Sequence, residues 1–206
     1  MNSASRAKIR DLLTSFGNPD LLQYWTKTLD EGEPFETLYR AVMDLVSRSP
    51  GEALRAAQHL RDGIGDELEP EERAYLHHLY GNILLLAGHA RESIPVYPIA
   101  FNSFRAAGNL REAGRTTIGW TFAHAITGDP RSAESVAARG MRLLPKDERV
   151  VKARITGNLG TAWHLAGNLV RAATYYRRAH DAFRRANEPT MAAVCLHNLG
   201  LVEVLT

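Results

Sequence analysis

The feature that most constrains this chain is a step of about forty residues. A small residue beside a bulky apolar one recurs at Ala41, Gly81, Thr121, Gly160 and Gly200, with spacings of 40, 40, 39 and 40. An independent set of markers, Gly88, Gly128 and Gly167, repeats the steps of 40 and 39. Agreement between two marker sets is the signature of one supersecondary unit used again and again. No copy of such a unit can bury its apolar face without a neighbour.

Each unit reads as two helices. The first, as in "EERAYLHHLYGNILLLAG", keeps apolar residues at helical spacing. First helices open with a proline at Pro34, Pro70 and Pro189, where a missing N–H costs nothing. Other starts carry candidate side-chain caps: Asn109 with Glu112, Ser49 with Glu52, and Asp129, Asp147 and Asn168. Gly88, Gly128 and Gly167 end the first helices in left-handed turns. Small residues recur where two helices must approach closely: Gly81 with Ser93 and Ala100, Thr121 with Ala133 and Gly140, Gly160 with Ala172 and Ala179. In the second unit Pro95 and Pro98 fall inside a helix, which therefore starts late with Ser93 as its cap or is kinked.

The pattern resembles the tetratricopeptide repeat (TPR) superfamily over roughly residues 35–206. Asn158, Leu159, Gly160, Gly167, Ala172, Tyr176 and Ala179 stand at its signature positions, and Pro145 at the proline that closes a repeat. The period is longer than the usual thirty-four or so, and Leu60 stands where the first unit should have a small residue. The resemblance implies an all-α, right-handed α-solenoid with four full repeats plus the first helix of a fifth. Residues 1–34 do not fit the frame, because "FGNPD" breaks any helix there. They are expected to form N-terminal capping helices over 4–16 and 19–30.

The last helix breaks the pattern in another way. Val194, Leu196, Leu199, Leu201, Val202, Val204 and Leu205 leave it little polar surface, and it has no partner helix. The expectation is an unfinished hairpin belonging to a longer chain, with a downstream domain following Thr206. The alternative is a stripe that packs on another copy, giving a homo-oligomer.

Composition adds little that competes with a soluble binding protein. The longest apolar run, 83–87, cannot span a bilayer, and the N-terminus lacks a signal-peptide core. The expected location is cytoplasmic, and the single cysteine, Cys195, fits a reducing compartment. Residues 1–72 carry 8 basic and 14 acidic side chains (−6), and residues 73–206 carry 17 and 9 (+8). Such a split steers acidic partners towards the C-terminal half.

No phosphate-binding glycine loop, no "GxSxG" and no zinc-type cysteine pair occurs, so the chain is expected to be no enzyme and to need no cofactor. The eight histidines show no i, i+3 or i, i+4 pairing, and His77 and His78 point to different faces, so no metal site is expected. Arg177, Arg178, Arg184 and Arg185 flank Tyr175, Tyr176 and Phe183 in a pattern that nucleic-acid binders also use. A solvated basic face at a helix C-terminus is the simpler reading, and nucleic acid is the weaker alternative.

What remains is the surface of the first helices. The resemblance implies a peptide-binding groove lined by Tyr75, His78, Asn82, Arg115, Phe122, Arg154, Thr161, His164 and His197, suited to an extended peptide or helix of some acidic character. The lysine of the carboxylate clamp found in some of these arrays is replaced by His78. The long period and N-terminal cap are similar to the arrays preceding CHAT-type protease domains in bacterial signalling proteins, and this implies a recognition or regulatory scaffold.

Overall fold

A computed structural model describes residues 3–19, 23, 44–46, 48–64 and 69–204. Among the described residues the fold is all-α, with ten helices and no strand. We label them α1 (Ser3–Phe16), α2 (Pro50–Ile64), α3 (Pro70–Leu86), α4 (Ala90–Ser93), α5 (Tyr97–Ala106), α6 (Leu110–Ile126), α7 (Pro130–Leu143), α8 (Arg149–Leu165), α9 (Leu169–Arg185) and α10 (Pro189–Val204). The chain forms two compact units, Met1–Asn109 and Leu110–Thr206. The expected helix over 4–16 is α1; most of the one over 19–30, the start marked by Pro34 and most of the first repeat's first helix lie outside the described residues.

The hairpin turns follow from the sequence markers. Gly88, Gly128 and Gly167 have φ of 89°, 81° and 77°. In each turn the next amide reaches back over the helix end: His89 N to Leu84 O at 2.8 Å, Asp129 N to His124 O at 2.9 Å, Asn168 N to Trp163 O at 2.9 Å. The carbonyls a helix end leaves open are thereby satisfied, and only a residue at ease with positive φ can do it cheaply.

Close approach of the paired helices is equally local in origin. A Cβ on Gly81 would lie 3.1 Å from the Tyr97 ring, and one on Gly160 only 2.6 Å from the Tyr176 ring. In both hairpins the aromatic stands sixteen residues after the glycine and is buried to within 2%. The third hairpin inverts the sizes: Thr121 replaces the glycine, and Ala137 takes the tyrosine's place. In each helix pair a larger side chain meets a smaller one, which is how a densely packed interior accommodates close helices. The tyrosine hydroxyls are captured one residue past the glycine. Tyr97 Oη donates to Asn82 Oδ1 at 2.9 Å, and Tyr176 Oη donates to Thr161 Oγ1 at 3.3 Å. Where no hydroxyl arrives, the corresponding residue is Phe122.

Unit one packs α1 on α2 and α2 on α3 around Ile9, Leu13, Leu60, Leu79 and Ile83, with Leu60 fully buried at the place where a small residue was expected. Unit two lays α6/α7, α8/α9 and α10 in sequence. Arg111 and Arg115 near the start of α6 meet Asp147 and Glu148 at the start of α8, and Asn158 Nδ2 donates to Ile118 O at 3.0 Å. The two first helices therefore run side by side in the same direction.

Two local expectations need correcting. Ser93 is not a helix cap: it ends the short α4, and its hydroxyl donates to Ala90 O at 2.7 Å. The chain then breaks over 94–96, and α5 begins at Tyr97, so Pro98 sits in its first turn. Asp147 does not cap α8, because it is drawn to Arg111 at 3.1 Å and the preceding residue of the helix is Glu148. Asn109 donates to Glu71 Oε1 at 2.6 Å. Asp129 and Asn168 cap as expected, accepting from Ser132 N and Arg171 N.

Candidate functional site

The nine sequence-derived groove residues fall three on unit one and six on unit two. On α3, Tyr75 stacks edge-on against Phe104 with ring centroids 4.8 Å apart, His78 meets the same ring at 6.3 Å, and Asn82 holds the Tyr97 hydroxyl. All three contribute to packing α3 on α5. Burial pushes the His78 imidazole down to about 4, so it is neutral near pH 7.

On unit two the six divide by their commitments. Arg115 bridges Glu112 at 2.8 Å and Glu148 at 2.7 Å. Against the desolvation of partial burial, these two carboxylates raise its already high pKa. It is a strut between α6 and the start of α8, and Glu148 also draws Arg111 at 3.4 Å. Phe122 packs against the core around Ile155, Leu159 and Ala162. Thr161 takes the Tyr176 hydroxyl and donates to Gly157 O at 3.4 Å. His164 lies edge-on to Tyr176, centroids 6.3 Å apart. Arg154 on α8 and His197 on α10 are exposed.

Residues seven and eleven positions apart share one stripe of a helix. On α8 that stripe reads Arg154, Thr161, Leu165; on α6 it reads Arg115, Phe122, Ile126. The third members are exposed apolar side chains, Leu165 at 57% and Ile126 at 39%, and Leu86 of α3, at 52%, is their counterpart in unit one. Leu86, Ile126 and Leu165 each stand two residues before a turn glycine. That spacing was the signal available in the sequence for a set of residues the groove assignment omitted. In unit two, with α6 and α8 parallel, one end of the paired stripes carries arginine and the other carries exposed leucine and isoleucine.

A second cluster is structural. Glu134 of α7 accepts from Trp163 Nε1 at 3.0 Å, Arg171 Nη2 at 2.8 Å and Tyr175 Oη at 2.8 Å, all on one carboxylate oxygen. The Arg171 guanidinium stacks 3.7 Å above the Trp163 ring. This buckle ties one hairpin to the next and engages Tyr175, one of the aromatic residues that flank the arginines of α9. Cys195 is buried, and burial pushes its thiol up, the opposite of what a nucleophile needs. Among the described residues no group of three or more His, Cys, Asp or Glu side chains could hold a metal ion. No described helix is long and apolar enough to cross a membrane.

No protein family matches the chain by sequence, and no curated protein does. Among solved structures, the chain is similar to the crystal structure of BtubC (BKLC) from P. vanneervenii. The match covers 99% of this chain and 92% of that one at 12% identity, with a TM-score of 0.60. At this identity the likeness shows a shared helical-repeat fold and nothing of shared function.

Proposed function

We propose that this chain is a non-catalytic protein-binding array of the TPR-like kind, a right-handed solenoid whose first helices receive a peptide segment. Arg154 carries the reading. It is exposed, lies on the same stripe as the exposed Leu165, and has no ion-pair partner among the described residues, whereas Arg115 one hairpin earlier is held by two carboxylates. An unpaired guanidinium at one end of a stripe and apolar side chains at the other suit a segment with a carboxylate at one end and an apolar anchor at the other.

The recognised segment would be part of another protein, or of a domain that the array restrains in a bacterial signalling protein such as the CHAT proteases. Selection from a random peptide display library on the immobilised protein tests it. Sequences joining Asp or Glu to Leu, Ile or Phe should be enriched, Arg154→Glu should remove the acidic preference, and Leu165→Asp the apolar one. Enrichment that neither substitution changes would refute this placement of the site.

A further inference from the structure

The face that α10 turns to solvent repeats the hairpin contact described above, and it does so with both halves on one helix. Ala193, Val194, Leu196, His197, Gly200, Leu201 and Val204 are all exposed, and a Cβ on Gly200 would meet nothing within 4 Å. Gly200 is the counterpart of Gly81 and Gly160, which are filled by Tyr97 and Tyr176. The helix that fills such a notch has small residues four before and three after its aromatic: Ser93 and Ala100 around Tyr97, Ala172 and Ala179 around Tyr176. On the exposed face of α10, Ala193 and Gly200 stand four before and three after His197. A single stripe thus offers the notch and the ring that fits a notch.

The register closes on itself. In the α8/α9 hairpin the ring of Tyr176 lies on Gly160, and Ala179 lies on Gly157, its Cβ 3.7 Å from where a Cβ of Gly157 would be. Aromatic on glycine is therefore followed, three residues along each antiparallel helix, by small residue on the other helix's earlier position. Two copies of α10 placed antiparallel reproduce both contacts. His197 of one copy lies on Gly200 of the second, and His197 of the second lies on Gly200 of the first. Four residues outward, Val204 then faces Ala193 of the other copy, as Ala125 and Ala133 share one core cluster in the α6/α7 hairpin. The residue after the notch fits too. Asn82 and Thr161 receive tyrosine hydroxyls, whereas Leu201 has no acceptor and a histidine ring brings no hydroxyl.

The face is also poor in charge. Its ionisable members are His197 and Glu203, and Glu203 is held by Arg177 of α9 at 2.8 Å. The small faces of α5, α7 and α9 are already buried, with Ala100, Ala133, Ala172 and Ala179 all at 0%, so the matching stripe of these helices is occupied within the chain.

We propose that α10 is the interface of a two-fold homodimer, an antiparallel α10–α10 pair locked by His197 on Gly200 in both directions. An interface of this kind is isologous, as most homodimers are. It stands independently of the peptide-binding reading, which uses α6 and α8.

Sedimentation equilibrium of the 206-residue chain across a wide range of concentration tests it. The mass should rise from 22.8 kDa towards twice that value, 2 × 22.8 = 45.6 kDa. Gly200→Leu should weaken association at least tenfold without harming the fold, since its side chain enters open space in the monomer. His197→Phe should tighten association several-fold by seating a larger, wholly apolar ring in the notch. Val170→Ser, at an apolar residue 75% exposed on α9, should change nothing. Circular dichroism confirms that each variant is folded. A chain that stays monomeric throughout, or a dimer indifferent to Gly200→Leu, would overturn the proposal.

Discussion

Replacing Gly160 by alanine adds a single methyl group, and the structure says where it goes. The new Cβ would lie 2.6, 2.7 and 3.0 Å from three atoms of the Tyr176 ring, closer than folded proteins tolerate. Tyr176 is 2% exposed and cannot swing into solvent, so helix α9 must move away from α8 or the ring must leave its rotamer. Overpacking of this kind costs about 1–3 kcal/mol. Displacing the ring also loosens the hydroxyl contact to Thr161, worth roughly 1 kcal/mol. Alanine returns about 1 kcal/mol through its better helix propensity. The balance is a loss of about 2 kcal/mol, which for a chain of this length lowers Tm by roughly 4–8 °C. Gly157 supplies the control, three residues earlier on the same helix. Its added Cβ would be 3.7 Å from Ala179 and 3.9 Å from Cys195 Sγ, both ordinary contacts. Gly157→Ala should therefore keep most of the propensity gain and raise Tm by a few degrees. Differential scanning calorimetry on both variants checks the contrast. If Gly160→Ala melts at or above the parent protein, the hairpin register built on glycine and tyrosine is wrong.

Two further outcomes follow from single side chains. The His78 pKa is lowered by burial from an ordinary 6.5 to about 4, so the unfolded chain binds more protons between those values. The stability this histidine supports is complete above pH 6.5 or so and is lost as pH falls towards 4, by at most about 3 kcal/mol. Urea unfolding at pH 7 and pH 4.5 should show a larger acid loss for the parent than for His78→Phe; equal losses would remove His78 from the account. Glu134→Ala deletes the acceptor shared by Trp163, Arg171 and Tyr175 and should cost about 2 kcal/mol by the same assay. A cost below about 0.5 kcal/mol, the usual range for a surface substitution, would show that the buckle is ornamental.

Much of this architecture was legible because its causes are local. Turn glycines, first-turn prolines and small residues at helix contacts each act within one hairpin, so their spacing in the sequence is their spacing in the fold. The errors arose where a side chain had two suitors. Asp147 could cap α8 or pair with Arg111, and the arginine, more than thirty residues away in sequence, won. Ser93 could have capped a late helix, but the two prolines left a separate turn that absorbed it. The candidate groove was harder to read. Asn82 and Thr161 are assigned to the groove only by what the sequence resembles, and here each answers a tyrosine hydroxyl on its own partner helix. Only pairing Tyr97 with Asn82 and Tyr176 with Thr161, against Ala137 with Phe122, reveals that division of labour. The exposed Leu86, Ile126 and Leu165 were in plain view at a fixed distance from the turn glycines, but an apolar residue in an apolar run gives no sign of being outside.

The most direct test of the binding reading is a chemical-shift titration of the isotopically labelled protein with a synthetic peptide joining an acidic residue to a leucine. The expected result is saturable perturbation centred on Arg154, Thr161, Leu165 and Ile126, abolished by Arg154→Glu. Perturbation confined to other helices, or none at millimolar peptide, would contradict it.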